Sequence, residues 1–195
     1  MTLQIVTEPT AAQNQLSNYN GSSMVARSSY TPSQGANWGV IGLVLGDTVT
    51  TGDEDAIVAA LEGLAGITSV ADPRLWGQLP AELLSGETYE AKLHTTVTLG
   101  CTAGTANNQW ALQERKHATV KPPLGKKWMV CTCVLPSALT DQASVTALQG
   151  AIQAIAGITT AKVMAFGSVP NPATGIVVQV ESRMRIDPVP VPEPE

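Results

Sequence analysis

Four stretches of the chain carry the pattern of β-strands, either alternating apolar and polar positions or enriched in β-branched residues. They are TYEAKLHTTVTLG from Thr88, ALQERKHATVK from Ala111, KWMVCTCVL from Lys127 and GIVVQVESRMRI from Gly175. In the first, Ala91, Leu93, Thr95, Val97 and Leu99 share one face, and Lys92, His94, Thr96 and Thr98 share the other. In the last, Val178 and Val180 alternate with Gln179, Glu181, Arg183 and Arg185. Earlier, LQIVT and MVARSSY read as short strands in a polar lead, and Asn37 to Leu45 reads as a buried strand. Ile57, Leu61 and Leu64 recur at helical spacing, with Thr51 and Glu54 placed for a capping box and Gly66 for a left-handed close. Leu148, Ile152 and Ile155, ahead of Gly157, predict a second such helix. Both are short and Ala-rich, so their stability must come from packing on a sheet. The pattern predicts an α+β fold: an antiparallel sheet with a polar face and an apolar face covered by short helices.

The two helical segments resemble each other. ALEGLAGIT (Ala60 to Thr68) returns as AIQAIAGIT (Ala151 to Thr159), with five of nine positions identical. The match extends upstream, where Pro32, Gly35, Trp38 and Leu45 answer Pro122, Gly125, Trp128 and Leu135 at an offset of ninety. Trp is too rare for chance to supply that correspondence easily, so the chain reads as an internal duplication of strand-helix-strand-strand units. The organisation expected is an N-terminal arm or hairpin over 1–36, one domain over 37–186 with repeats at about 37–99 and 111–186, and a Pro-rich tail over 187–195. The alternating prolines of DPVPVPEPE favour an extended form, either disordered or laid as a strap on a neighbour.

With 44% apolar and 14% charged residues among 195, the chain is globular rather than disordered. Its apolar runs, WGVIGLVLG among the longest, fall short of a membrane span, and neither signal peptide nor anchor is expected. Cys131 and Cys133 lie two apart on one strand face, where they do not easily bridge and read as small buried apolar residues. Cys101 lies in a Gly, Thr and Asn loop, GCTAGTANNQ, and is either inert or a link between subunits.

No phosphate loop, nucleophile elbow or metal-spaced Cys and His pattern is present. The two histidines, His94 and His117, fall on separate strands and read as surface residues; Asp53, Glu54 and Asp55 favour a helix dipole. The expectation is a protein that is not an enzyme and needs no cofactor or metal. The net charge of −5 disfavours a generic nucleic-acid-binding surface, but its distribution is uneven. Acids concentrate in loops and helix starts, whereas Lys92, Arg115, Lys116, Lys121, Lys126, Lys127, Arg183 and Arg185 fall on strands and the turns between them. A basic sheet face opposite an acidic helix side would have a large field asymmetry.

From Gly86 to Gly157 the order of strand, strand, turn, strand and helix resembles the coat proteins of single-stranded RNA bacteriophages. The strand KKWMVCTCVLP leaves through PSALT into SALTDQASVTALQGAIQAIAG, similar to that family's P-x-x-x-T/S exit into a helix, and LQIVTEPTAA is similar to its first strand. The family has no helix ahead of its central strands, whereas Asp53 to Ala65 reads as one. The resemblance implies a dimer whose sheet faces the genome, assembled in the host cytoplasm into a virion shell. It places Lys92, His94, Arg115 and Lys121 on the RNA-facing sheet and makes the partners further copies of the chain and genomic RNA, with no membrane. Two other readings stay open: a phage tail-tube or decoration protein, and a small-molecule-binding α+β domain with a pocket between its halves.

Overall fold

The computed structural model describes residues 3–4, 15–16, 23–71, 74–78, 89–101, 111–113, 120–123, 125–169 and 176–188. Among the described residues eleven strands and two α-helices follow one another as β1 (Leu3–Gln4), β2 (Gln15–Leu16), β3 (Ser23–Tyr30), β4 (Asn37–Leu45), α1 (Glu54–Glu62), β5 (Ser69–Val70), β6 (Leu75–Gln78), β7 (Tyr89–Cys101), β8 (Ala111–Gln113), β9 (Lys127–Leu135), α2 (Gln142–Gln153), β10 (Ile158–Ser168) and β11 (Ile176–Pro188). β1 pairs with β2. The others form two antiparallel sheets, one ordered β10-β4-β9-β5 with β6 also on β9, the other β3-β11-β7-β8.

The fold is α+β, as the pattern predicts, and its helices cover one face of the first sheet. Ile57 and Leu61 of α1 and Val145, Leu148 and Ile152 of α2 form one cluster with Ile41, Leu43, Leu45, Met129, Cys131, Cys133 and Leu135. Leu64 and Ile155 close its rim, half-buried. The alternate positions of β4 and β9 are buried as well, among them Trp38, Val40, Val44, Trp128 and Val130. A strand buried on both faces needs a second cover. The other sheet supplies it through Leu93, Val180 and Met184, all buried. Leu93 bridges to Val120, and a Cβ added to Gly42 of β4 would come within 2.8 Å of Val120 Cγ2 and 2.6 Å of Met164 Sδ. The layers are therefore helix, sheet, sheet, and the apolar face of β7 and β11 meets strands instead of helices.

Two helix-end expectations are corrected. The box before α1 is formed by Thr50 and Asp53, whose Oδ2 accepts the Thr50 backbone N–H at 2.6 Å and the Thr50 hydroxyl at 2.8 Å, one residue ahead of the expected Thr51 and Glu54. Glu54 is turned inward, 2% exposed, and its carboxylate accepts from Arg74 Nε at 2.6 Å, so it holds the residue just ahead of β6 rather than the cap. At the other end, Gly157 is left-handed with φ 89, while Gly66 is outside that region. The Gly157 carbonyl accepts the Gly46 N–H at 2.8 Å, a contact that fixes its backbone. α1 already ends at Glu62, where Gly63 donates to Ala59 O at 2.9 Å.

The bounds of β4 and β9 coincide under a shift of ninety positions. Leu75, Trp76, Gly77 and Gln78 pair with Val130, Met129, Trp128 and Lys127. The same shift converts these pairs into Ala165–Val40, Phe166–Gly39, Gly167–Trp38 and Ser168–Asn37, which the β10–β4 ladder contains. Turns ahead of the two strands match too: Ala36 donates to Ser33 O at 3.0 Å and Lys126 to Pro123 O at 3.2 Å, around Gly35 (φ 77) and Gly125 (φ 76). A positive φ at the third residue is the type II geometry that favours glycine. Apart from β1–β2, every strand pairing among the described residues joins a strand of residues 23–101 to one of residues 111–188.

Candidate nucleic-acid interface

The four residues expected on a common basic face are placed differently from one another. Lys92 and His94 belong to β7, in the second sheet. Arg115 lies outside the described residues. Lys121 is exposed and follows Val120, the residue bridged to Leu93, so it stands where the two sheets come together. The backbone thus brings Lys92, His94 and Lys121 to one region.

Register adds bases that the individual strands do not reveal as neighbours. Arg183 is the Cα partner of Arg27 in β3 and of His94 in β7, and Arg185 is the partner of Met24 and Lys92. Strand residues two apart share a face. Val180, Ser182 and Met184 are buried in β11 and Gln179 is exposed, and Arg183 and Arg185 stand at the register positions that alternate with the buried set. By register, Arg27, Arg183 and His94 form one row and Lys92 and Arg185 the next. Directly opposed like charges in antiparallel strands are destabilising. The next rows reverse the sign: Glu181 stands beyond Arg183, and the pair Asp187–Glu90 stands beyond Arg185. Along the ladder, base positions are thus bounded by acidic positions at both ends.

Arg27 escapes a strand-by-strand reading because it falls in MVARSSY, within what reads as a polar arm. Only the register with β11 joins it to Arg183.

Cys131 and Cys133, on the helix-covered face, are free and buried with Sγ atoms 4.0 Å apart. The contact with Cys131, together with burial, holds the Cys133 thiol well above its usual range, which makes it an inert core group. Cys101 ends β7 opposite Ile176. Among the described residues no group of three or more His, Cys, Asp or Glu is placed to hold a metal ion, and no helix is long and apolar enough to cross a membrane.

Comparison with protein-family models, with curated proteins and with solved structures finds no match to this chain.

Proposed function

We propose that the protein is a self-assembling, non-catalytic coat component that encloses RNA, and that its two halves descend from a duplicated unit. The observation that carries the RNA contact is the pair of base rows on the second sheet. Arg27 stands opposite Arg183 and Lys92 opposite Arg185 in the ladder register, an arrangement of like charges that bound phosphate would favour. The ninety-position correspondence of strand bounds and ladder pairs supports the duplication. One chain then provides the strand exchange that two subunits of a dimer provide elsewhere, and the shell is built from copies of this intertwined unit.

Purified protein should form closed particles, seen by electron microscopy, with a nucleic-acid contribution to their absorbance. Replacing Arg27, Lys92 and Arg183 together with Gln should leave folding intact, lower the RNA content and reduce the salt dependence of binding by roughly one unit of slope per lost phosphate contact. Tubes or stacked rings without RNA would instead indicate a tail or decoration component. A small monodisperse species free of nucleic acid at every protein concentration would exclude the coat reading.

A further inference from the structure

Side chains of the covering helices reach both outer edges of the first sheet. On the β10 side the Val163 N–H donates to Gln149 Oε1 at 2.9 Å, and Gln153 Nε2 donates to Thr159 O at 3.3 Å. Gln149 and Gln153 stand four residues apart on α2, so one helix face reaches a strand donor and a strand acceptor together. On the other side the Val70 N–H donates to Glu62 Oε1 at 2.9 Å, and Glu62 is the residue that answers Gln153 in the repeated segment. Backbone groups along a sheet edge are a template for another strand, and covering them is one way that proteins prevent such pairing.

The two edges are otherwise unlike. β5 and β6 are two and four residues long, and Pro73 stands in the sequence between them. Short strands and a residue with no N–H offer little to a partner strand. β10 runs through eleven residues, and among the described residues its one ladder is with β4. Lys162, exposed, is the only charged residue in β10, and the register with β4 shifts between Ile158 and Thr160 and again between Val163 and Ala165. A lysine, bulges and a helical cover are each known devices against edge-to-edge pairing. Here all three fall on the edge that is long enough to pair.

We propose that the outer edge of β10 is a latent docking edge for β10 of a second copy of the chain, held shut by Gln149, Gln153 and Lys162. Two copies pairing antiparallel about Val163 are related by a two-fold axis, so each offers the other the same donors and acceptors. That register sets Lys162 opposite Met164 and Ala161 opposite Ala165, with no like charges directly opposed. The bonds made by Gln149 and Gln153 are exchanged for ladder bonds of the same kind. The shut edge is favoured because its bonds form within one chain, without the loss of translational and rotational freedom that association costs. The docking edge uses none of the base rows of the second sheet and stands whether or not the coat reading does.

The triple variant Gln149→Ala, Gln153→Ala, Lys162→Thr, made in the full-length protein and compared with the parent at matched concentrations, tests it. Alanine is the better helix former, so α2 should persist, and circular dichroism with thermal unfolding separates an opened edge from a lost fold. Sedimentation velocity should show the variant pairing with an association constant at least about tenfold above that of the parent. Gln149→Glu, which keeps an acceptor for the Val163 N–H, should behave as the parent does. Hydrogen exchange locates the contact: the Val163 amide should exchange faster in the dilute variant than in the parent, and regain protection as concentration rises and a partner strand takes the place of Gln149. Unchanged association, or association that leaves the Val163 amide exchanging fast at every concentration, overturns the proposal. Particle formation and RNA content of the parent are separate measurements, so either idea fails without the other.

Discussion

Ile41 and Cys131, ninety positions apart, are Cα partners at the midpoint of the β4–β9 ladder. Exchanging the halves maps this pair onto itself and turns Trp38–Val134 into Val44–Trp128, both of which the ladder contains. The centre of the first sheet is thus a point about which its two contributors are interchangeable, and each contributor depends on the other for every ladder hydrogen bond.

That dependence predicts how a cut chain behaves. A protease site inserted at Gly104 and cleaved in the folded protein should leave two fragments that co-elute in native gel filtration and part only in denaturant. Separation under native conditions would mean that the cross-half ladders contribute little.

Ile152 is fully buried in the cluster between α2 and the sheet. Ile152→Ala should destabilise by about 2 to 5 kcal/mol, measured by denaturant unfolding. A loss under about 0.5 kcal/mol would place α2 away from the core.

Gly66 and Gly157 occupy matching places after the two helices yet should respond differently to alanine. Gly157→Ala forces a side chain into φ 89 and sets its Cβ 2.8 Å from Val49 Cγ2, a combined cost of about 1 to 3 kcal/mol. At Gly66 the backbone is unstrained and the nearest atom is Leu148 Cδ1 at 3.1 Å, so Gly66→Ala should stay within about 1 kcal/mol of neutral.

The helix caps predict an acid limit to stability. Hydrogen bonds from Thr50 to Asp53 and from Ser144 to Asp141, whose Oδ1 accepts the Ser144 N–H at 2.7 Å, hold both carboxyls below their ordinary value of 3.8. A carboxyl with a lowered folded-state pKa contributes stability above its unfolded value and loses it as pH falls through the folded one. Thermal midpoints should therefore drop below about pH 4. Asp141→Asn, which keeps an acceptor but does not titrate, should flatten that drop, and an unchanged acid profile would show that the cap is not formed.

Much of the layering is legible in the residues because burial on a sheet imposes a period of two and burial on a helix imposes 3.6. Ile57, Leu61, Leu148 and Ile152 lie where their spacing puts them, and β4 and β9 take the bounds of their apolar runs. What spacing does not carry is pairing. The apolar positions of β7 and β11 read equally well against helices or against another sheet. β6 and β10 are partly continuous apolar runs rather than clean alternations. The site was legible only in part for the same reason: Lys92 and His94 stand out on one strand, but their neighbours Arg185, Arg183 and Arg27 become neighbours through ladders spanning most of the chain.

The pairing of each half only with the other also governs how the chain acquires its shape during synthesis. β3 through β7 leave the ribosome before the partners of any of them, β8 through β11, have been made. At roughly 5 to 20 residues per second, the first half waits several seconds as open edges, the state most exposed to misassociation with other nascent chains. Ladders of such large sequence separation also close slowly, because loop entropy must be overcome before any contact repays it. Slow maturation, completed after synthesis, is the expected consequence of joining early strands only to late ones.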